Sequence, residues 1–301
     1  MAKYRVIYNP NAGNGNGKEV IGKLGETMKG DELSFYNILE IDSYKDFFAG
    51  ITQNESIILS GGDGTINRFI NDTKELDIKN DIYYFGSGNG NDFLHDIGHE
   101  PGSMPVKINE YIKNLPTVIV KGREYSFING IGYGIDGYCC EVGDKLRSEG
   151  KEVNYTAIAI KGLLFHYKPT NAIITVDGVT RTYKKVWLAP TMHGRFYGGG
   201  MMPTPAQDRM GDENVNSVMV YFGVGKLKAL MVFPSIFKGE HVNKTNMVNV
   251  FAGKEITVKF DRPVALQIDG ETILNVTEYT VKANPLADRI VKSTEKTVAE
   301  V

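Results

Sequence analysis

Apolar residues along this chain follow two rhythms, and the change falls near residue 122. Before it, short β-branched runs alternate with stretches of helical spacing, which predicts a parallel α/β sheet. Strands are expected at 4–8, 34–41, 56–60, 82–86 and 117–121. Helices are expected at 18–28, 43–51, 65–74 and 104–114, with Ser43 and Ser103 as N-caps. After it, runs of period two dominate, at 125–131, 171–177, 182–192, 215–223, 246–251, 255–260, 263–268 and 278–283. Ile256, Val258 and Phe260 alternate with Thr257 and Lys259, a half-buried strand. Asp177-Gly178 between two such runs signals a type I′ hairpin turn. The second part therefore reads as a mainly antiparallel β-sandwich, and the fold class as α/β plus all-β. The expected domains are 1–122 and 123–283, with a solvated tail ending in Lys292-Ser293-Thr294-Glu295-Lys296.

The most informative stretch is Ser60-Gly61-Gly62-Asp63-Gly64-Thr65-Ile66-Asn67. Ile57-Ile58-Leu59 before it reads as a buried strand, and Ile66, Phe69 and Ile70 after it share one helical face, with Thr65 placed to cap the first turn. Three glycines let the backbone approach a ligand closely, and the helix start presents free N–H groups that suit phosphate. Asp63 adds a carboxylate where a phosphate-bound Mg²⁺ would sit. A tight strand-to-helix turn with a surface aspartate fits these residues equally well. Two further clusters fall at strand ends, where ligands of such sheets bind. Asn9-Pro10-Asn11-Ala12-Gly13 through Lys18 is neither a P-loop nor a dinucleotide fingerprint, and alone reads as a flexible loop. Gly86-Ser87-Gly88-Asn89-Gly90-Asn91-Asp92-Phe93 is the other; Asp92 there suits an Asx-turn or a metal-bound water.

Composition narrows the classes. The chain has 301 residues, 42% apolar and 23% charged, long enough for two domains and ordinary for a globular protein. A net charge of −2 leaves no basic footprint for nucleic acid and no polybasic anchor. The two cysteines, Cys139 and Cys140, are adjacent and cannot form a disulfide framework, so a reduced, cytoplasmic setting is expected. The chain enters a strand pattern at Lys3 without a signal-peptide core, and no apolar run approaches the ~20 residues a membrane crossing needs. Any membrane contact is then peripheral.

Gly61-Gly62-Asp63-Gly64-Thr65 with Asn67 resembles the signature of the diacylglycerol-kinase catalytic-domain family, which includes bacterial lipid kinases and sphingosine kinases and is distantly related to NAD kinases. Asn9-Pro10-x-Ala12-Gly13 resembles the family's first nucleotide motif. Gly86 to Phe93 resembles its third, with Gly86 for proline and Asn89 for threonine. Further matches follow in order: Asn129 to Asp136; His193 to Met201, around Tyr197-Gly198-Gly199-Gly200; Pro234 to His241; and Asp269-Gly270-Glu271. Together they span about 260 residues.

The resemblance implies a Rossmann-like nucleotide-binding domain followed by a β-sandwich lipid-substrate domain, with 284–301 returning to the first. It implies Mg²⁺-dependent transfer of the ATP γ-phosphate to a hydroxyl of diacylglycerol or a related lipid, a step in phospholipid metabolism at the membrane surface. The nucleotide contacts carried over are Asn9, Pro10, Ala12, Gly13, Gly61, Gly62, Asp63, Gly64, Thr65, Asn67, Gly88, Asn89, Asn91 and Asp92. Glu271 is carried over as the general base and Asp269 as the residue that orients it; read alone, Glu271 is a solvent-exposed hairpin residue. Many bacterial members hold a structural Mg²⁺ at a paired-aspartate turn. Here 205–214 keeps Asp208 and Asp212 without that order, and Asp208 is expected to pair with Arg209 or a neighbour. Arg68 replaces a glutamate usual in the family. An NAD kinase and a catalytically weak nucleotide- or lipid-binding regulator are the competing readings, and a homodimer is left open. The stretches 155–167 and 226–237 fit core packing or an amphipathic surface for lipid. Cys139 and Cys140 read as core residues, and His193 and His241 form no zinc pattern.

Overall fold

Val6, Ile7, Ile57, Ile58 and Leu59 are fully buried, as β-branched runs are when a sheet is covered on both faces. The structure, a computed structural model, describes residues 1–284. The solvated tail and all but the first residue of the 284–301 return segment lie outside the described residues. The chain divides into two compact units, one of Met1–Lys113 and one beginning at Asn114.

The first unit runs β1 (Lys3–Tyr8), a single turn α1 (Ala12–Gly15), α2 (Gly17–Thr27), β2 (Glu32–Asn37), α3 (Tyr44–Ala49), β3 (Glu55–Gly61), α4 (Asp63–Thr73), β4 (Ile82–Gly86), α5 (Asp92–Asp96), β5 (Val106–Lys107) and α6 (Asn109–Ile112). The sheet order is β2-β1-β3-β4-β5, parallel except at the β4–β5 edge. Leu24 of α2 and Met28, its C-cap, close one face over Val6, Ile58 and Phe85. Ser43 caps α3 as expected, accepting from Asp46 N at 3.2 Å.

The helix expected at 104–114 does not form. Val106 and Lys107 pair with Tyr84 and Tyr83, and Asn109 locks the edge: its Oδ1 accepts from Ile82 N at 2.8 Å while its Nδ2 donates to Asn80 O at 3.0 Å. Sheet-edge hydrogen bonds outweigh the weak helical spacing, leaving one turn at α6. Ser103 accordingly caps nothing and donates to Glu100 O.

The second unit contains β6 (Thr117–Val120), β7 (Arg123–Ser126), β8 (Gly130–Tyr133), α7 (Ile135–Ser148), α8 (Tyr155–Lys161), β9 (Thr170–Val176), β10 (Val179–Val186), β11 (Thr191–Met192), β12 (Asn216–Tyr221), α9 (Lys226–Val232), β13 (Val248–Gly253), β14 (Glu255–Ile268) and β15 (Glu271–Lys282). Strand 117–121 was expected in the parallel sheet; instead β6 pairs antiparallel with β7 and β15. The 14-residue β14 joins the two runs expected at 255–260 and 263–268 through a bulge between Lys259 and Val264. Its first half pairs with β9 and its second with β8, so the sheet bends there and folds over itself. Arg181 of β10 then lies 4.2 Å over the Phe251 ring of β13, and Tyr183 packs edge-on against Phe222. Between the layers lie Trp187, Tyr133, Tyr221 and Tyr279, all almost fully buried.

The short α1 and α5 were not expected as helices, and helix α7 is the longest element that sequence reasoning missed. Its apolar spacing, Ile135, Cys139, Val142 and Leu146, was there to be read, but Gly137 and Gly143 obscure it. Gly137 has a packing reason: a Cβ on it would stand 1.8 Å from Ala265 O of β14.

Candidate active site

In the first unit three loops at strand ends meet by backbone contact. Gly62 and Gly88 touch so closely that a Cβ on Gly88 would lie 2.5 Å from Gly62 Cα. Gly13, with φ at +58°, brings the first loop against Ser87 O, 2.6 Å from where its Cβ would be. Hydrogen bonds tie the same loops. Asn9 N donates to Ser60 O at 3.0 Å, Asn9 Nδ2 to Thr65 Oγ1 at 3.0 Å, and Ser87 N to Gly61 O at 2.8 Å. The three loops that carry most of the sequence-predicted residues of this unit are thus brought together by the fold.

Asp63 is the clamp of this arrangement. Oδ1 accepts from Phe93 N at 2.9 Å and Oδ2 from Asp92 N at 3.0 Å, so its carboxylate caps α5 across 29 positions of sequence. Asn91, at φ +50°, turns the chain into that cap and donates from Nδ2 to Gly88 O at 2.7 Å. Thr65 does not cap α4: the helix starts at Asp63, with Gly62 at the N-cap, and the Thr65 hydroxyl meets Asn9 instead. Asn67 is buried, with its carbonyl bonded by Asn71 Nδ2. Arg68 points outward and pairs with Asp72 at 3.4 Å, an ordinary i,i+4 contact.

The residues fit a nucleotide better than they fit a protein-held metal. Ser87 Oγ and Asn91 Oδ1 are buried in the glycine loop and have no hydrogen-bond partner among the described residues. Buried polar atoms of this kind are costly unless something meets them. For a metal, no group of three His, Cys, Asp or Glu residues stands together among the described residues. Asp208 does not pair with Arg209: its Oδ1 accepts from Met210 N at 2.9 Å, an Asx turn, and Arg209 reaches Ile128 O and Asn129 Oδ1, both at 3.1 Å. Asp212 is exposed.

In the second unit Asp269 does what Asp63 does in the first. Oδ2 accepts from Ile128 N at 2.7 Å, and Oδ1 accepts from Asn129 N and Gly130 N, each at 2.9 Å. The segment it holds opens β8, and His193 N and Gly194 N both donate to Asn129 O. Asp269, at φ +45°, and Gly270, at φ +97°, form a two-residue turn between Ile268 and Glu271. The turn is pinned again where Gly270 N donates to Gln267 Oε1 at 2.6 Å and Thr272 Oγ1 donates to Asp144 Oδ2 at 2.6 Å. Glu271, the first residue of β15, pairs through its backbone with Ile268, while its side chain is exposed and makes no hydrogen bond among the described residues.

Gly198, Gly199 and Gly200 all have positive φ, a reversal that puts the Tyr197 hydroxyl deep enough to donate to Asp136 Oδ2. Burial pushes the Asp136 carboxyl up to about 7, against the opposing effect of that hydrogen bond. Asp136 was legible only as part of a motif; the charged residue inside the apolar run Gly134-Ile135-Asp136 was the available signal. Cys140 is pushed up to about 12, by burial first and then by the charges of Asp136, Asp144 and Glu271, so it is no nucleophile. His241 is buried with Nε2 against Pro203 O, a core contact.

Comparison with known proteins agrees with this fold. A diacylglycerol kinase catalytic domain matches residues 3–122, and a YegS C-terminal NAD kinase β-sandwich-like domain matches 129–292, more than half of the chain. The chain belongs to the diacylglycerol kinase catalytic-domain family. Among its relatives are a diacylglycerol kinase of Bacillus subtilis, 24% identical with 90% of each chain covered, and the B. subtilis protein YtlR, whose lipid-kinase name is itself provisional, 24% identical over 96% of this chain and 99% of that one. A diacylglycerol kinase structure from Bacillus anthracis matches the fold with a TM-score of 0.57 at 19% identity, covering 95% and 98% of the two chains. A parallel-sheet domain followed by an antiparallel β-domain is the fold of this family, and its chemistry is that of a kinase, phosphoryl transfer to an alcohol on a lipid. No helix among the described residues is long and apolar enough to cross a membrane.

Proposed function

We propose that this kinase transfers the γ-phosphate of ATP, as its Mg²⁺ complex, to a hydroxyl of diacylglycerol or a closely related lipid at a membrane surface. The nucleotide is assigned to the first 122 residues and the lipid to 123–283. Phosphoryl transfer asks the protein mainly for positioning and charge stabilisation. The backbone donors of the 9–13, 61–65 and 86–90 loops would hold the phosphates, and the Mg²⁺ would enter with the nucleotide, neutralising phosphate oxygens. Asp63 and Asp92 are carboxyl groups carried on those loops; Asp63 acts first by fixing the start of α5, where Asp92 lies.

Glu271 is assigned the role of general base, and one observation carries this. The turn before it is held by three N–H donors on Asp269 while the Glu271 carboxylate itself faces solvent. A rigid backbone with one uncommitted carboxylate is what a positioned base needs. Asp269 is thereby a positioning residue.

A radiolabel transfer assay offering diacylglycerol, sphingosine and NAD separately tests the reading. Label in diacylglycerol is expected; label in NAD alone rejects the lipid assignment, and no label in any acceptor favours the regulator reading. Glu271→Gln is expected to lower kcat by roughly 10²–10⁴-fold, the usual contribution of a general base, with nucleotide binding retained. Full turnover in that variant removes Glu271 from the chemistry.

A further inference from the structure

Apart from Met1 at the chain end, the three most exposed large apolar side chains among the described residues are Met231 at 73% and Phe165 and Leu227 at 71% each. All three belong to one place. Phe165 lies in the π-helical turn Gly162–His166 that continues α8, and Leu227 and Met231 are i,i+4 neighbours on α9. Lys226 Nζ joins the two elements by donating to Leu164 O at 2.9 Å, so Phe165 and Leu227 flank a single contact. Ile160 and Phe237 add partly exposed apolar surface at either end. Scattered exposed apolar residues mean little, but the extremes of a whole surface gathered on adjoining turns mark an interaction site.

The charges around them say what it meets. Residues 155–168 and 226–238 contain Lys161, Lys168, Lys226, Lys228 and Lys238 and no aspartate or glutamate, in a chain whose net charge is −2. Acids border the two stretches: Glu152 precedes the first, Glu240 follows Lys238, Glu141 lines a cavity with Lys168 and Arg262, and Asp136 and Asp261 lie within electrostatic reach of Tyr167. We propose that this face docks on an anionic bilayer surface, with Phe165, Leu227 and Met231 entering the headgroup boundary and the lysines meeting lipid phosphates. The inference rests on the lipid-kinase reading for its purpose but not for its geometry. A second copy of the same face is a poorer occupant, because a two-fold interface would set lysines against lysines. An anionic lipid surface satisfies apolar anchors and basic rim together.

Co-sedimentation of the full chain with phosphatidylcholine vesicles, with and without phosphatidylglycerol, tests it. Binding is expected only with phosphatidylglycerol, and high salt should weaken it by screening. Replacing Phe165, Leu227 and Met231 together by Ser, or Lys161, Lys228 and Lys238 together by Gln, should each weaken it by about tenfold or more. Thermal unfolding of both variants controls for folding. Activity on diacylglycerol dispersed in detergent micelles should stay near wild type in each, while activity on diacylglycerol in vesicles falls. Unchanged vesicle binding in both variants overturns the proposal. So does a solution dimer that the serine variant dissociates, since a second copy would then cover the face. Absence of kinase activity in micelles with the wild-type chain defeats the lipid-kinase reading instead, whatever the vesicles show.

Discussion

The two units solve one problem twice. In each, an aspartate in a glycine-rich turn gives both carboxylate oxygens to backbone N–H groups of a segment distant in sequence: Asp63 to the start of α5, Asp269 to the start of β8. The difference lies in what surrounds the clamp. Asp63 is half-buried and holds two amides beside the glycine loops; Asp269 is 8% exposed and holds three amides beside the exposed Glu271. Motif aspartates here build the frame, and the glutamate two positions beyond the second clamp stays exposed, the feature on which its proposed role as base rests. A motif therefore does not report which of its acidic residues reacts.

Unequal clamps should fail unequally. Asp269→Ala strips three buried N–H groups of a charged acceptor and should cost about 5 kcal/mol, at roughly 1.5–3 kcal/mol per charge-assisted bond, read as a fall in denaturant midpoint. A loss below about 1 kcal/mol would mean that water replaces the carboxylate and the clamp is not what holds β8.

Asp136 offers a pH test in the same unit. Its folded-state value, about 7, lies above the ordinary aspartate value, so the native state binds the proton more tightly than the unfolded chain does. Stability from this group is complete below about pH 4 and declines as pH rises, levelling off above about 7, by up to about 4 kcal/mol. Asp136→Asn should flatten that decline between pH 4 and 7, measured by urea unfolding across the range. A slope unchanged in the variant assigns it to other groups.

Asp63→Ala should cost less than the Asp269 change, about 3 kcal/mol for two bonds in a half-exposed site. Amide exchange should quicken at Asp92 and Phe93 specifically. Asp63→Asn keeps one acceptor oxygen and should chiefly weaken use of Mg·ATP; an unchanged Mg²⁺ dependence would confine Asp63 to its framing role. The smallest effect is expected for Arg68→Ala, which removes an exposed i,i+4 pair with Asp72 worth roughly 0.5 kcal/mol or less. A large drop in activity there would show that Arg68 replaces the missing glutamate in function and not merely in position.

Much was legible without coordinates. Fully buried β-branched runs such as Ile57-Ile58-Leu59 declare parallel strands, because only a strand covered on both faces lacks a polar side. The Asp177-Gly178 and Asp269-Gly270 turns declare their hairpins, because few residues accept positive φ at both turn positions. Local rules decided those elements, so sequence sufficed. Where distant segments competed, it did not. The 104–114 stretch became a sheet edge because Asn109 found Ile82 and Asn80, and strand 117–120 joined the second sheet because β15 lay open to it. Helix α7 carries two glycines that lower local helical preference, and Gly137 makes sense only against the β14 backbone. The sequence by itself determined which residues were glycine, aspartate and glutamate in the family's motifs. Tertiary structure alone decided that Asp63 and Asp269 hold amides while Glu271 does not, because a carboxylate's role depends on which donors the fold brings within 3 Å of it.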